Sequence, residues 1–187
     1  LIQNEVPRHP VRVYQGNGIG VFTAEIQFEK EQDIAFGSTV LEWFTAGGFE
    51  QLIIIDGILK PEKEVQGEGL FAVGASEKAR KRLKEMDLNT IQRGIVSGIT
   101  GFLLSEGDRL NLDITALLSE ASPMYPDVRA AAVAIEAITE MTGVEIPLSK
   151  MLENAREIEH SVQEIIQNST PLLPSPGDDV ENDPSFG

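Results

Sequence analysis

The sequence predicts an α/β domain in which helices cover both faces of a central, mostly parallel sheet. Two runs, Leu52–Ile55 and Ile114–Leu118, are apolar almost without interruption, which is typical of strands that are buried on both faces. Segments with helical spacing of apolar residues flank both runs, and such an alternation of helices and strands indicates a layered fold. We therefore expect a three-layer α/β/α architecture with these two runs as its central, buried strands.

The chain has 187 residues, which suits one domain with a sizeable core. We assign residues 1–168 to a single α/β domain that includes an N-terminal β-hairpin and a C-terminal helix. Prolines and acidic residues dominate from 169 to 187, a composition that is typical of a tail without a packed core. Because Leu1-Ile2-Gln3 resembles the middle of a strand, we expect that an N-terminal part of the domain is missing.

The predicted hairpin consists of the strands Val11–Gln15 and Ile19–Phe28, joined at Gly16-Asn17-Gly18. Asn-Gly between two extended runs is the strongest short signal for a hairpin, since both residues tolerate a positive φ. The same glycines could indicate a dinucleotide-binding loop. Such a loop leads from a strand into a helix, whereas this one leads into a second strand, so we reject that interpretation.

The first predicted helix covers Phe36–Phe49, with Thr39 and Glu42 at the spacing of a capping box and Gly47-Gly48 at its end. The strand Leu52–Ile55 follows this helix directly. A helix that leads into a buried strand through a tight glycine link is a common α/β connection.

Asp56 and Gly57 follow this strand. Open α/β sheets place ligands at the carboxyl ends of their strands, so Asp56 is the best single candidate for a ligand-binding residue. An aspartate before a glycine also commonly caps the following loop with its carboxylate, and we favour that structural role for Asp56 over ligand binding.

A basic helix is predicted to begin after the capping residue Ser76 and to reach about Met86, following a loop at Lys60–Gly69 and a short strand at Leu70–Val73. Its five basic residues form either a solvated helix face or a contact patch for an acidic partner. These candidate partner residues are Lys78, Arg80, Lys81, Arg82 and Lys84.

The stretch from Ile95 to Gly143 contains the second central strand between two helices. The first helix begins at Ser97 and Gly98, and the second begins at about Asp127 and ends at Gly143. A final helix, Met151–Asn168, carries apolar residues at alternating spacings of four and three, as in a heptad seam. This seam either packs on its own domain or forms a homo-oligomer interface. Its residues are Met151, Ala155, Ile158, Val162 and Ile165.

Composition excludes several classes of chemistry. The chain has no cysteine, which rules out disulfides and thiol catalysis and favours a cytoplasmic location. Its two histidines, His9 and His160, lie far apart in the sequence, and we expect neither a metal nor another cofactor. The net charge of −15 disfavours nucleic-acid binding. No apolar run reaches the roughly 18 residues that a membrane span needs, so we expect no membrane partner.

Catalytic motifs are also lacking. Ser97 stands in VSGIT, which is not the nucleophile-elbow motif GxSxG. The sequence contains no Walker loop, and no histidine stands in a recognisable arrangement with a serine or a pair of carboxylates. We therefore expect a protein that is not an enzyme.

One motif resembles a known family. Tyr125-Pro126-Asp127, followed by Arg129, Ala130 and Ala131, and helix-opening glycines at Gly94, Gly98 and Gly101 resemble the archaeal and bacterial branch of the proteasome assembly chaperone 2 family. The resemblance covers roughly Ile19 to Ile166. It implies a phosphorylase/hydrolase-like fold and a homo-oligomeric protein that binds other proteins, with proteasome core subunits as possible partners.

The resemblance leaves an enzyme as the alternative, because the family's fold is that of the phosphorylase/hydrolase group. A small ligand or nucleotide would then bind in the loops at the strand ends, where the beginning of the helix at Asp127 favours an anion. The residues of this candidate ligand site are Asp56, Gly57, Gly98, Tyr125, Asp127 and Arg129.

Overall fold

The computed structural model describes residues 2–3, 5–16, 18–26, 28–59, 69–121, 127–149 and 152–153. Its strands are β1 (Ile2–Gln3), β2 (Val6–Pro7), β3 (Val11–Gly16), β4 (Ile19–Ala24), β5 (Leu52–Leu59), β6 (Leu70–Gly74), β7 (Asn89–Thr90) and β8 (Ile114–Ala121). Its α-helices are α1 (Asp33–Ala46), α2 (Glu77–Glu85), α3 (Gly98–Leu110) and α4 (Val128–Thr142).

The strand β8 is central and buried, as its sequence predicts. The main sheet has the order β5-β8-β6-β7, so β8 pairs on both sides, parallel to β5 and antiparallel to β6. The pair β6–β7 is again parallel, which makes the sheet mostly parallel. Every residue from Ile114 to Ser119 is buried. The unbroken apolar run therefore marks the strand that is covered on both faces and both edges.

The strand β5 is longer than predicted, and its predicted central position is wrong for the described residues. It continues through Asp56 and Gly57 to Leu59, and it pairs only with β8, so it forms an edge of the described sheet. Ile55 is 51% exposed and Leu59 is 73% exposed. Apolar composition alone predicted a strand with two neighbours, but composition does not determine the order of strands in a sheet.

Helices cover both faces of the sheet, which confirms the three-layer architecture. Helices α1 and α3 pack on one face, where Phe44 and Leu104 join Ile114 and Leu118 in one core cluster. Helices α2 and α4 pack on the opposite face, where Leu83, Ala134 and Ala137 surround Leu117. The alternation of β8 side chains divides the core into these two clusters.

The predicted beginning of α1 and its capping box at Thr39 and Glu42 are wrong. The helix begins at Asp33, and Thr39 lies inside it, where its hydroxyl donates to the carbonyl of Ala35 at 3.0 Å. The capping box belongs instead to the short 3-10 helix Lys30–Gln32, at whose end α1 begins. The Thr-x-x-Glu spacing is therefore not specific for the beginning of a helix. It also occurs in a helix interior, where the threonine hydroxyl donates to the carbonyl four residues earlier.

The predicted hairpin is confirmed as β3–β4, although β4 ends at Ala24 rather than at Phe28. It forms a separate two-stranded sheet and is fixed to α1 by aromatic side chains. The ring of Phe22 lies 5.3 Å from that of Phe36 and 5.7 Å from that of Trp43, both edge to face. Because a two-stranded sheet is marginal by itself, these contacts supply much of the stability of the hairpin.

Candidate functional site

The first turns of α1 and α3 lie side by side. Asp33, the first residue of α1, has its Oδ2 atom 3.7 Å from the position that a Cβ atom would take at Gly98, the first residue of α3. One turn further along, the ring of Phe102 packs directly on the Cα atom of Gly37. The two helices therefore run in the same direction and begin together, and Gly98 has the positive φ of +68° that favours glycine.

Asp56 connects β5 to the first turn of α3. Its Oδ2 atom accepts a hydrogen bond of 2.7 Å from the buried hydroxyl of Thr100, and its Oδ1 atom accepts one of 2.8 Å from the backbone N–H of Gly57. Both carboxylate oxygens are thus hydrogen-bonded within the chain, although the residue remains exposed. Asp56 therefore has a structural role, but it is not the predicted cap of a loop, because β5 continues through Asp56 and Gly57 to Leu59 and the carboxylate bonds to Thr100 of α3 instead.

The electrostatics of this position disfavour an anionic ligand. The beginning of a helix carries partial positive charge, which commonly binds phosphate or carboxylate groups. Here the carboxylates of Asp33 and Asp56 already lie at the first turn of α3. Both would repel a phosphate, and Asp56 already accepts the hydrogen bond of Thr100.

The remaining candidate ligand residues lie elsewhere. Asp127 caps α4, since its Oδ1 atom accepts a hydrogen bond of 3.0 Å from the N–H of Ala130, and Arg129 is exposed in the first turn of that helix. Helix α4 packs on the face of the sheet opposite to α3. The structure therefore brings Asp56 and Gly98 to one face and Asp127 and Arg129 to the other, while Gly57 follows Asp56 in β5. Tyr125 lies outside the described residues.

Sequence reasoning missed two polar residues near these strand ends. Thr100 is separated from Asp56 by 44 positions, and no local pattern pairs them. Ser119 is buried at the end of β8, and its hydroxyl has no hydrogen-bond partner in the part of the chain that the structure describes. In the same part, no group of three or more His, Cys, Asp or Glu side chains is arranged to hold a metal ion.

Two of the five basic residues of α2 converge on the buried residue Asp113. Arg82 donates to both carboxylate oxygens, at 2.9 Å and 2.6 Å, and the Nζ atom of Lys78 lies 3.1 Å from Oδ2. Burial by itself would raise the pKa of Asp113, but the hydrogen bonds and charges of Arg82 and Lys78 outweigh burial, so the pKa lies below its ordinary value. The carboxylate and the two cations therefore fix α2 to the beginning of β8.

The other basic residues of α2 make weaker or more exposed contacts. Arg80 donates to the carbonyl of Ala75 at 2.6 Å and lies 3.7 Å from the carboxylate of Asp108. Lys81 pairs with Glu85 at 3.7 Å along the exposed side of the helix. Lys84 is exposed as well. Arg82, at 21% exposure, is the one of the five that is largely enclosed. The side chains of Lys78, Arg80 and Lys81 are 71%, 53% and 77% exposed, so a partner that approaches this helix would meet these three charges together with Lys84.

The seam of the last predicted helix, Met151, Ala155, Ile158, Val162 and Ile165, lies outside the described residues. Within the described part of the chain, no helix is long and apolar enough to cross a membrane.

The sequence and the fold both match those of a known protein family. The sequence profile of the PAC2 family matches residues 1–166, and the chain belongs to that family. A crystal structure of Pyrococcus furiosus PbaA, an archaeal homolog of proteasome-assembly chaperone, superimposes with a TM-score of 0.80 at 25% sequence identity. That match covers 90% of this chain and 70% of PbaA.

Two further relatives agree with this assignment. Pyrococcus furiosus PbaB, an archaeal proteasome activator, has the same fold, with a TM-score of 0.67, 23% identity and coverage of 79% of this chain and 64% of PbaB. An uncharacterised protein of Methanocaldococcus jannaschii is 20% identical over 172 residues, which is 92% of this chain and 70% of that protein.

Proposed function

We propose that this protein is a non-enzymatic assembly protein of the cytoplasm that acts as a homo-oligomer and binds subunits of the proteasome core. The observation that carries the proposal is the similarity to PbaA, at 25% identity over 90% of the chain. Membership of the PAC2 family and the shared fold of PbaB support the same assignment.

The contacts at the strand ends support a binding role over catalysis. Asp56 is engaged by Thr100 and by the N–H of Gly57, and Asp127 caps its own helix. A general base needs a proton to abstract within hydrogen-bond reach, together with a suitable pKa, and a nucleophile needs a base beside it. The hydroxyl of Thr100 does lie 2.7 Å from the carboxylate of Asp56, but this hydroxyl is buried and the second carboxylate oxygen is bonded to the N–H of Gly57, so the pair is arranged as an internal structural contact.

Recovery of partners from native extract tests the proposed binding. The tagged protein should recover proteasome α subunits in stoichiometric amount. The matched control is Asp56→Asn, which keeps an acceptor for Thr100 and should recover the same subunits, since the proposed role does not use that carboxylate chemically. Recovery of the protein alone would contradict the proteasome assignment, and loss of recovery in the control would indicate a direct role of the Asp56 charge.

We propose the last helix as the homo-oligomer interface. The support is the regular spacing of its seam from Met151 to Ile165. Burial of each large aliphatic side chain contributes about 1.5–3 kcal/mol, so a few such contacts between subunits are enough for a stable contact.

The double variant Ile158→Asp/Val162→Asp should convert an oligomer into a folded monomer in light scattering. The control Glu157→Gln/Glu164→Gln changes polar residues of the same segment and should preserve the oligomer. An unfolded double variant would place the seam in the core of its own domain, and a wild-type monomer at micromolar concentration would refute the interface.

A further inference from the structure

One side of the edge strand β5 is apolar and open. In the parallel pair with β8, Ile55 lies beside Leu117, whose side chain belongs to the core cluster that α4 covers. Because side chains alternate along a strand, Gly57 and Leu59 share that face of the sheet with Ile55. Ile55 is nevertheless 51% exposed, Leu59 is 73% exposed, and Gly57 is exposed between them. Helix α4 therefore covers this face at β8 and leaves it open at β5, along three residues that we name the β5 stripe: Ile55, Gly57 and Leu59.

Gly57 leaves a hollow in the middle of the β5 stripe. Among the described residues, and apart from its neighbours in the chain, a Cβ atom at this position would have only the Cβ atom of Ala121 within 4 Å, at 3.7 Å. The hollow lies between the two exposed aliphatic side chains, whose positions are about 13 Å apart along the strand. A site of this shape accepts one protruding aliphatic side chain between two apolar walls.

The free edge of β5 also lacks the features that keep sheet edges apart. Among the described strands β5 pairs only with β8, so its other edge is unpaired there. Its eight residues include no lysine and no proline, which proteins commonly place on an exposed edge to prevent association. The β5 stripe therefore has the character of a contact surface for another chain.

We propose that the β5 stripe of one copy binds the seam of the last predicted helix of a second copy. The match in length selects this occupant. Ile158 and Ile165 are seven residues apart, which is about 10.5 Å along a helix and comparable with the length of the stripe. Val162 lies between them, in the position to enter the hollow.

The two walls of the hollow are exposed in the single chain, so the seam that covers them comes from a neighbouring copy. The seam and the β5 stripe are different surfaces of each subunit. The contact is therefore head to tail, and it forms a closed ring when the rotation between subunits allows it.

This inference rests on the proposed homo-oligomer, since it names the surface that the interface helix meets. The first test fills the hollow. Gly57→Val adds a residue that favours strands and has room within its own subunit, but the valine takes the place of the incoming side chain. Self-association should weaken by about tenfold or more in sedimentation equilibrium. The matched control Gly16→Val makes the same change at the end of β3, where a Cβ atom would meet nothing within 4 Å, and should associate as wild type does.

A second variant removes the walls of the hollow. Ile55→Thr/Leu59→Thr keeps strand-forming residues but sets hydroxyls against the apolar seam, so it should weaken self-association to a similar extent. Its control is Ile95→Thr, since Ile95 is 96% exposed in the loop before α3. Circular dichroism and the emission of Trp43 report on folding, and the double variant replaces Gly57→Val in every comparison if the valine prevents folding.

A mixing experiment separates contact between copies from packing within one copy. Ile158→Asp/Val162→Asp keeps an intact β5 stripe and Gly57→Val keeps an intact seam. Neither should self-associate, but an equimolar mixture should form a one-to-one pair, and absence of that pair would overturn the inference. Self-association that the seam variant loses and both stripe variants keep would also overturn it, while leaving the proposed oligomer interface intact. Equal weakening by the controls would count against the stripe, and a wild-type monomer would refute both the interface and this inference.

Discussion

Asp113 and Arg82 form the most enclosed ion pair of the described residues, with 7% and 21% of their side chains exposed. Asp113→Asn removes the negative charge and leaves Arg82 beside a neutral amide, so the free energy of unfolding at neutral pH should fall by roughly 2–4 kcal/mol. The control Glu106→Gln removes a surface carboxylate whose pKa is also lowered, first by its hydrogen bond from Arg109, and it should change little. Urea denaturation measures both.

The pH dependence of the same pair has a definite sign. Because the pKa of Asp113 is lowered in the folded protein, the native state binds this proton less readily than the unfolded chain does. The stabilisation is complete above the unfolded pKa of about 3.9 and is lost as the pH falls through the lower folded value. The difference between wild type and Asp113→Asn should therefore be constant from neutral pH to about pH 5 and shrink below it. A difference that grows on acidification would contradict the assigned pairing.

Thr100 tests the connection between β5 and α3. Thr100→Val keeps the shape of the side chain but removes the donor to Asp56, and it should lower the free energy of unfolding by about 1–2 kcal/mol. Thr39→Val is the matched control, because that hydroxyl is exposed and bonds only to its own helix. Its effect should stay within about 0.5 kcal/mol in chemical denaturation. Equal effects of the two substitutions would mean that the bond to Asp56 contributes nothing specific.

At the scale of elements, the close contact of α1 and α3 depends on a glycine. A Cβ atom at Gly37 would overlap the ring of Phe102, so the helices can approach this closely only without that side chain. Gly37→Ala should destabilise the protein by about 1–3 kcal/mol, although alanine is favoured over glycine in a helix by about 1 kcal/mol. Thermal and urea unfolding measure the change.

A smaller side chain at position 102 should make room for the Cβ atom that Gly37→Ala adds. Phe102→Leu by itself should destabilise the protein, but its combination with Gly37→Ala should lose less than the sum of the two single changes. Strict additivity would show that the two residues do not compete for the same space, and it would contradict the contact.

The sequence predicts those elements that depend on interactions between residues close together in the chain. The ends of α2 and α4 depend on residues within four positions, and Ser76, Asp127 and Gly143 act as the sequence predicts. The sequence also predicts β8, because burial on every side requires apolar residues throughout. Strand order, the exposed edge of β5 and the bond between Thr100 and Asp56 depend on distant residues, and local patterns do not encode them.

At the scale of the whole molecule, the candidate site was predicted only in part, for the same reason. The position of Asp56 beside the beginning of a helix follows from the general geometry of α/β sheets. That Asp127 lies on the other face depends on how the chain crosses the sheet, which the sequence does not specify. The basic helix was correctly identified, yet Asp113, which binds two of its cations, is 31 positions from Arg82.

The excess of acidic residues should make the stability of the whole molecule depend on salt. The net charge is −15, so the excess acidic side chains repel one another in the compact folded state. Added salt screens this repulsion between charges that are further apart than the Debye length, which is about 8 Å at physiological ionic strength. The pair Arg82–Asp113 is short and mostly buried, so salt weakens it much less. Raising sodium chloride about tenfold from low ionic strength should therefore raise the free energy of unfolding by on the order of 1 kcal/mol.

Choline chloride is the control, since it screens equally but offers no small cation for specific binding, and it should give the same increase. Destabilisation by both salts would show that attractive pairs dominate over net repulsion, and an increase with sodium alone would indicate a bound cation.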